Sequence, residues 1–333
     1  MKRLVILCIV VAALGSVAWG VGAILTQTAA ARWLDARADQ GWVAFTREIT
    51  VGGYPLDFTT QFHGVELADP ETGLAWSTDR FVLEQDVWRL DRVAAIWPAD
   101  QIIASPQERL DITNTTMAAR LDVQPTNRFA LDGLHADVTD VAVVSNAGWQ
   151  MAMAEATLDV VRQSDSDMIY DVTAFVFDMV PPAAWRNRLD PANVLPQAIE
   201  AVTYTATMEF DAPWDMSAVE DRRPQITRIE IDEISAVWGN MRFRASGTLE
   251  VTPGGVPEGE LAVRAENWEA MMDLAANAGV APESIRRTAE AILRVLAGMS
   301  GRPENIDATL SFSNGRAFLG PLPIGLAPSL RLR

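Results

Sequence analysis

Acid–base or nucleophilic chemistry in this chain would have to come from a short set of residues. It holds two histidines, His63 and His135, and one cysteine, Cys8. A nucleophilic triad needs a nucleophile, a base and an orienting group within hydrogen-bond reach. No Gly-x-Ser-x-Gly elbow occurs, and Cys8 lies inside an apolar run. Two histidines far apart in sequence do not make a histidine-rich zinc site. His63 falls on the polar side of a period-2 segment beside Asp57 and Gln61, and His135 follows Gly133-Leu134, so both read as ordinary surface or packed side chains. Carboxylates are abundant, and Asp57, Glu66, Asp86, Asp159, Asp211 and Glu250 leave room for the paired acids of a glycoside hydrolase. They fall mostly where strands meet solvent, which reads as a solvated face. Asp165-Ser166-Asp167 lacks the glycine and distal glutamate of a calcium loop. Gly254-Gly255 sits between prolines with no helix or lysine behind it to cradle a phosphate. The expectation is a non-enzyme with no catalytic residue, no cofactor-binding residue, no metal ligand and no cofactor.

The elements behind these residues are set by residues 4–25, LVILCIVVAALGSVAWGVGAIL, an uninterrupted apolar run. A helix of this length crosses the roughly 30 Å hydrocarbon core of a bilayer. Lys2 and Arg3 precede it and the next charge is Arg32. Positive charge at the short end keeps that end in the cytoplasm and sends the rest across. The expectation is one N-terminal transmembrane helix in the inner membrane, single pass, with the C-terminal domain in the periplasm. A cleaved signal peptide is the competing reading, since Ala18, Gly20 and Ala23 are small residues near the end of the run. Against it, the run exceeds the usual signal core and Trp19 interrupts the cleavage region. Lipid attachment at Cys8 is disfavoured by the preceding Leu7 and the short apolar core before it.

The rest of the chain is globular and acidic. The full chain is 49% hydrophobic with a net charge of −17, which excludes nucleic acid as a partner because there is no basic face to displace counterions. The same deficit disfavours broad contact with an anionic lipid surface. Without cysteines beyond Cys8, an exported domain must hold its fold by its core alone. Residues 26–41 read as a helical stalk ended by Gly41. Residues 42–333 read as a β-rich domain with a sub-boundary near 181–200. Alternation predicts a strand through Tyr54, Leu56, Phe58, Thr60 and Phe62, then strands over 81–87, 110–123, 129–144, 149–161, 170–179 and about 204–210. Pro181-Pro182 stops a strand and 193–200 is a candidate short helix. Strands through Ile229 and Met241–Ala245 lead into the turn TPGGVPEG and a returning strand at Leu261. A helical pair follows. The first helix has Asn267 as N-cap, an apolar stripe of Trp268, Met271, Met272 and Ala275, and Gly279 as its end. The second has Ile285, Ala289, Ile292, Leu293 and Leu296 on one face. A last hairpin turns at Asn314-Gly315. The fold class is mainly β (β-rich α+β), with long antiparallel sheets.

Several short stretches carry a family likeness: Gly53-Tyr54-Pro55 before Phe58, Trp238-Gly239, Ala245-Ser246-Gly247-Thr248-Leu249, Gly259-Glu260-Leu261, and Asn314-Gly315 running into LGPLPIGLAP at 319–328. In this order the chain resembles the bacterial family called domain of unknown function 2125, from the anchor onward and best over 235–328. That resemblance implies no chemistry. The Trp-Gly…Gly-Thr-Leu…Gly-Glu-Leu rhythm is also similar to short segments of the larger AsmA-like envelope proteins, whose grooved sheets are linked to lipid movement. The functional expectation is a membrane-anchored envelope protein that presents an apolar groove to lipid or another hydrophobic ligand. Met271, Met272 and the second helix are one candidate wall of such a groove, and a plain cover for the sheet is their other reading. A structural or assembly protein binding other envelope proteins is the alternative, and a carboxylate-dependent envelope hydrolase stands last.

Overall fold

The computed structural model describes residues 2–220, 222–279, 291, 293, 294, 297, 298, 304–320 and 322–332. Contacts divide the chain into two compact units, one of residues 1–125 and 136–148, the other of 126–135 and 149–333. The interval 181–200 lies inside the second.

The first unit begins with α1 (Lys2–Asp39), one continuous helix that carries the apolar run and the expected stalk. Gly41, at φ +88°, follows its end. Beyond it come β1 (Val43–Phe45), β2 (Glu48–Gly52), β3 (Asp57–Ala68) and β4 (Ala75–Asp86). β1 and β2 both pair with β3, and β3 with β4, all antiparallel. Next lie β5 (Arg92–Ile96), β6 (Asp100–Ala104), β7 (Arg109–Thr113) and β8 (Thr116–Gln124). β4 pairs with β5 and β6, which continue to β8 and β7 respectively. The expected strand over 110–123 is therefore two. Pro98 cannot donate to a ladder, which breaks the β5–β6 lane. Asn114 mirrors the break in the next lane: its backbone N–H donates to Ala99 O at 2.9 Å and its Nδ2 to Pro98 O at 2.9 Å. β9 (Ala130–Ser145) adds its second half to this unit by pairing with β7.

The second unit is an up-and-down antiparallel meander. β10 (Gln150–Arg162), β11 (Ile169–Met179), β12 (Ile199–Phe210), β13 (Ile226–Trp238), β14 (Met241–Val251), β15 (Pro257–Glu266), β16 (Asn305–Ser313), β17 (Arg316–Leu319) and β18 (Leu322–Leu326) each pair with the next in sequence. Among the described residues it carries α2 (Ala183–Leu189), α3 (Met216–Glu220) and α4 (Trp268–Asn277), besides the helical residues near 291–298. Its core gathers Tyr170, Ala206, Phe210, Ile229, Ile231, Leu249 and Leu261. These come from five different strands at alternate positions, as expected for an antiparallel sheet with one apolar face.

Three expectations need correction. The strand expected from Tyr54 starts at Asp57, because the Leu56 and Asp57 N–H groups donate to Gly53 O at 3.1 and 2.9 Å and close a turn that leaves Tyr54 and Leu56 exposed. The short helix lies at Ala183–Leu189 rather than 193–200. Pro182, with φ −52°, precedes it directly, whereas Pro191 and Pro196 punctuate the later stretch. Asn267 precedes α4 but makes no side-chain cap. It adopts a left-handed conformation (φ 57°), and its Nδ2 donates to Asn240 O at 2.5 Å instead. The hairpin at Asn314-Gly315 forms as expected, with φ 51° and 73°. Of the second helix of the pair, Ala291, Leu293, Arg294, Ala297 and Gly298 are helical, while Ile285, Ala289, Ile292 and Leu296 lie outside the described residues.

Candidate functional site

The residues first singled out for chemistry do not converge. His135 Nδ1 meets Asp159 Oδ1 at 2.6 Å on a partly exposed sheet face. His63 sits in β3 opposite Arg80 of β4 and Glu48 of β2. Glu250 accepts from Arg228 at 2.6 Å. Burial pushes the Asp211 carboxyl up, but the Gln225 N–H and the Arg222 guanidinium outweigh it and hold it below its ordinary value. An acid held ionised in this way is a poor proton donor. Asp57 and Asp86 face each other across β3 and β4, at a turn rather than in a cavity. Glu66 pairs in register with Phe45 and Ser77. Among the described residues, no three of His, Cys, Asp and Glu are placed to share a metal ion. Met271 and Met272 pack against Ala265, Trp268, Leu293, Ala297 and Ile306, so they belong to the core beneath α4.

The site that the fold does build lies in the first unit, between α1 and one face of its sheet. Gly22, Thr26, Ala30 and Leu34 recur every fourth residue and turn toward the strands, with Leu34 buried. A Cβ on Gly22 would stand 2.5 Å from Phe58 Cζ, so the glycine is what lets helix and sheet approach there. Two polar contacts fasten α1 further: Trp19 Nε1 donates to Asp57 O at 2.9 Å and Gln27 Nε2 to Ile49 O at 2.7 Å.

Beyond Gly22, the two surfaces part and enclose a cavity of about 440 Å³. Its helix wall is Thr26, Ala29, Ala30, Trp33 and Leu34, and its sheet wall includes Phe58, Phe62, Val65, Leu67, Trp76, Phe81 and Leu83. No charged side chain lines it, and Thr26, Thr60 and Gln85 are its polar residues. The aromatic wall is braced internally. Phe62 and Phe81 are cross-strand partners 6.0 Å apart, and Phe81 meets Trp76 at 5.6 Å and Trp97 at 5.3 Å. The Trp76 indole N–H donates to Gln101 Oε1 at 3.0 Å.

The sheet wall changes phase along β3. Phe58, Thr60 and Phe62 face the cavity, then Val65 and Leu67. Gly64, at φ +63°, and Asp79 both drop out of the ladder between His63↔Arg80 and Val65↔Thr78, so the alternation flips on both strands while the register is kept. Reading the sequence at strict period 2 misses Val65 and Leu67 for this reason. Gly64 was the only available signal.

A larger trough of about 760 Å³ lies on the second unit. It is less suited to an apolar ligand, because Asp232, Glu233, Arg244, Arg264 and Asp307 line it and Arg264 is paired with Asp307 at 2.6 Å.

Along α1, the helix toward the N-terminus from the cavity presents Ile9, Val10, Val11, Leu14, Val17, Val21, Ile24 and Leu25 exposed. It is long and apolar enough to cross a membrane. No curated protein and no solved structure matches the chain, AsmA-like proteins included. The profile of a family described as uncharacterized protein conserved in bacteria matches residues 19–328, which takes in the sheet-packed half of α1 and both units. The chain therefore belongs to the bacterial family domain of unknown function 2125.

Proposed function

We propose that the chain is a single-pass inner-membrane protein whose periplasmic part shelters a lipid acyl chain, or a similar hydrophobic ligand, in the cavity between α1 and the first unit's sheet. The observation that carries this reading is the continuity of the two apolar surfaces. The helix that is fit to span the bilayer is the same helix that walls the cavity. A volume of about 440 Å³ lies within the ~300–1,000 Å³ of pockets that hold small ligands. A chain entering from the adjoining bilayer exchanges one hydrocarbon setting for another, whereas passage through water costs about 0.8 kcal/mol per methylene. The packing of Trp19, Gly22 and Gln27 onto β2 and β3 supports a retained helix over a cleaved signal, since cleavage would strip the sheet of its cover. Lys2 and Arg3 support the orientation with the domain outside the cytoplasm. The reading involves no catalysis.

The test is native mass spectrometry of the full chain released from bacterial membranes in mild detergent, because a truncated domain would lack the helix wall. A bound phospholipid-range mass that disappears in Ala30→Trp supports the cavity. A lipid mass that persists unchanged in Ala30→Trp refutes it. A chain with no lipid mass that crosslinks to a neighbouring envelope protein favours the assembly role instead.

A further inference from the structure

At one end of the first unit, two turns meet. The β2–β3 turn carries Tyr54 and Leu56, and the turn after β4 carries Trp88 and Leu90. They are joined by the Val87 N–H donating to Leu56 O at 3.0 Å and by the Asp57↔Asp86 register pair. All four large apolar side chains are exposed, at 57%, 59%, 80% and 58% of their surface. A soluble surface rarely gathers so many in one place without using them.

The same end is fixed against α1 within its apolar run. Ser16 Oγ and Tyr54 OH share a hydrogen bond of 2.7 Å, Trp19 reaches Asp57 O, and the Trp19 and Tyr54 rings meet edge to face at 5.3 Å. At 1.5 Å per residue, Ser16 and Trp19 lie roughly 9–14 Å inside the end of the run at Leu25. A helix with residues 4–25 in hydrocarbon therefore brings both turns to the membrane. Large apolar side chains suit burial at that depth, and amphipathic Trp and Tyr rings suit the interfacial zone next to it. The nearby charges are drawn together at the surface: Arg89 pairs with Asp91 at 3.0 Å and Asp86 accepts the Trp88 backbone N–H at 2.7 Å.

We propose that the Tyr54–Leu56 and Trp88–Leu90 turns form a second membrane contact, inserted into the leaflet on the domain's side beside α1. The occupant of this patch is lipid. The contact holds the first unit against the bilayer and sets its tilt. It rests on a retained, membrane-spanning α1 but not on any ligand in the cavity.

The experiment uses the full chain with Cys8→Ser, reconstituted in phosphatidylcholine–phosphatidylglycerol vesicles. Single cysteines replace Leu90, Leu56, Val17 or Leu74 and carry an environment-sensitive nitrobenzoxadiazole probe. Leu74, in the turn at the other end of the β3–β4 hairpin, is the exposed apolar control. Twelve residues of β3 separate it from the turns, about 40 Å. Probes at Leu90 and Leu56 are expected to shift to the blue and to be quenched by doxyl lipids several-fold more than at Leu74, with Val17 quenched as well. Quenching at Val17 with Leu90 and Leu56 no different from Leu74 overturns the proposal and leaves the anchor standing. A blue shift at Leu90 without lipid quenching means a protein covers the patch, and overturns it too. No quenching at Val17 removes the spanning helix and the proposal with it.

Discussion

Replacing Gly247 with alanine tests how the second unit's central strands fit together. Gly247 in β14 has φ +147° and Gly259 in β15 has φ +142°, conformations that L side chains rarely adopt. They occupy diagonal places in one ladder, Gly247 opposite Leu261 and Gly259 opposite Leu249. A Cβ at 247 would overlap the Glu260 carbonyl oxygen and come within 3.0 Å of Leu261 Cα. Backbone cannot swing aside as a side-chain tip can. The substitution therefore carries a conformational cost of about 1–3 kcal/mol. Prising the strands apart adds roughly 1 kcal/mol for each weakened ladder bond. The reduced entropy of the unfolded chain returns only about 0.4–1 kcal/mol. The sum is a loss of about 2–4 kcal/mol, falling on a ladder whose Leu249 and Leu261 both belong to the main core. Gly254→Ala, in the hairpin between the same strands, is the control, since its nearest neighbour would be Thr252 Oγ1 at 3.8 Å. Urea unfolding followed by tryptophan fluorescence reads both. If Gly247→Ala lowers stability no more than Gly254→Ala, the required glycine conformation is refuted.

Other outcomes follow from the same geometry. Gly22→Leu drives a side chain into Phe58 and should cost about 1–3 kcal/mol and raise hydrogen exchange at 57–60, whereas Gly20→Leu, with nothing within 4 Å, should do neither. Trp268→Ala empties a site that is 2% exposed and should cost about 3–5 kcal/mol, while Trp88→Ala in the exposed turn should stay within about 0.5 kcal/mol in detergent melts. The Ser217 hydroxyl and backbone N–H hold the Asp215 carboxyl below its ordinary value. A depressed folded-state value means stabilisation that is complete above the unfolded carboxylate pKa of about 3.9 and lost as pH falls through the folded one. Urea midpoints should therefore fall more steeply in the parent than in Asp215→Asn between pH 5 and pH 2, and parallel slopes would contradict the assignment.

What the sequence by itself determined is the local and periodic content. The apolar run, the alternating strands, the Asn314-Gly315 turn and the helix after Asn267 are each governed by neighbours within a few residues, and each formed near its expected place. The family-like Gly-Thr-Leu and Gly-Glu-Leu stretches were visible as words. Only the ladder between β14 and β15 explains their glycines, as the two points where a Cβ would strike the facing backbone. Tertiary structure alone decided the candidate site. The cavity needs a helix at residues 26–34 laid over strands at 58–67 and 76–83, and no periodicity specifies which face of which sheet a helix will cover. The flip of alternation at Gly64 and the breaks at Pro98 and Asn114 likewise depend on a partner strand, because a ladder exists only between two chains of backbone. The same holds for Tyr54, Leu56, Trp88 and Leu90. In sequence Tyr54 and Leu56 read as strand positions while Trp88 and Leu90 merely follow the strand expected over 81–87, and only the meeting of two turns beside Ser16 and Trp19 makes them one surface.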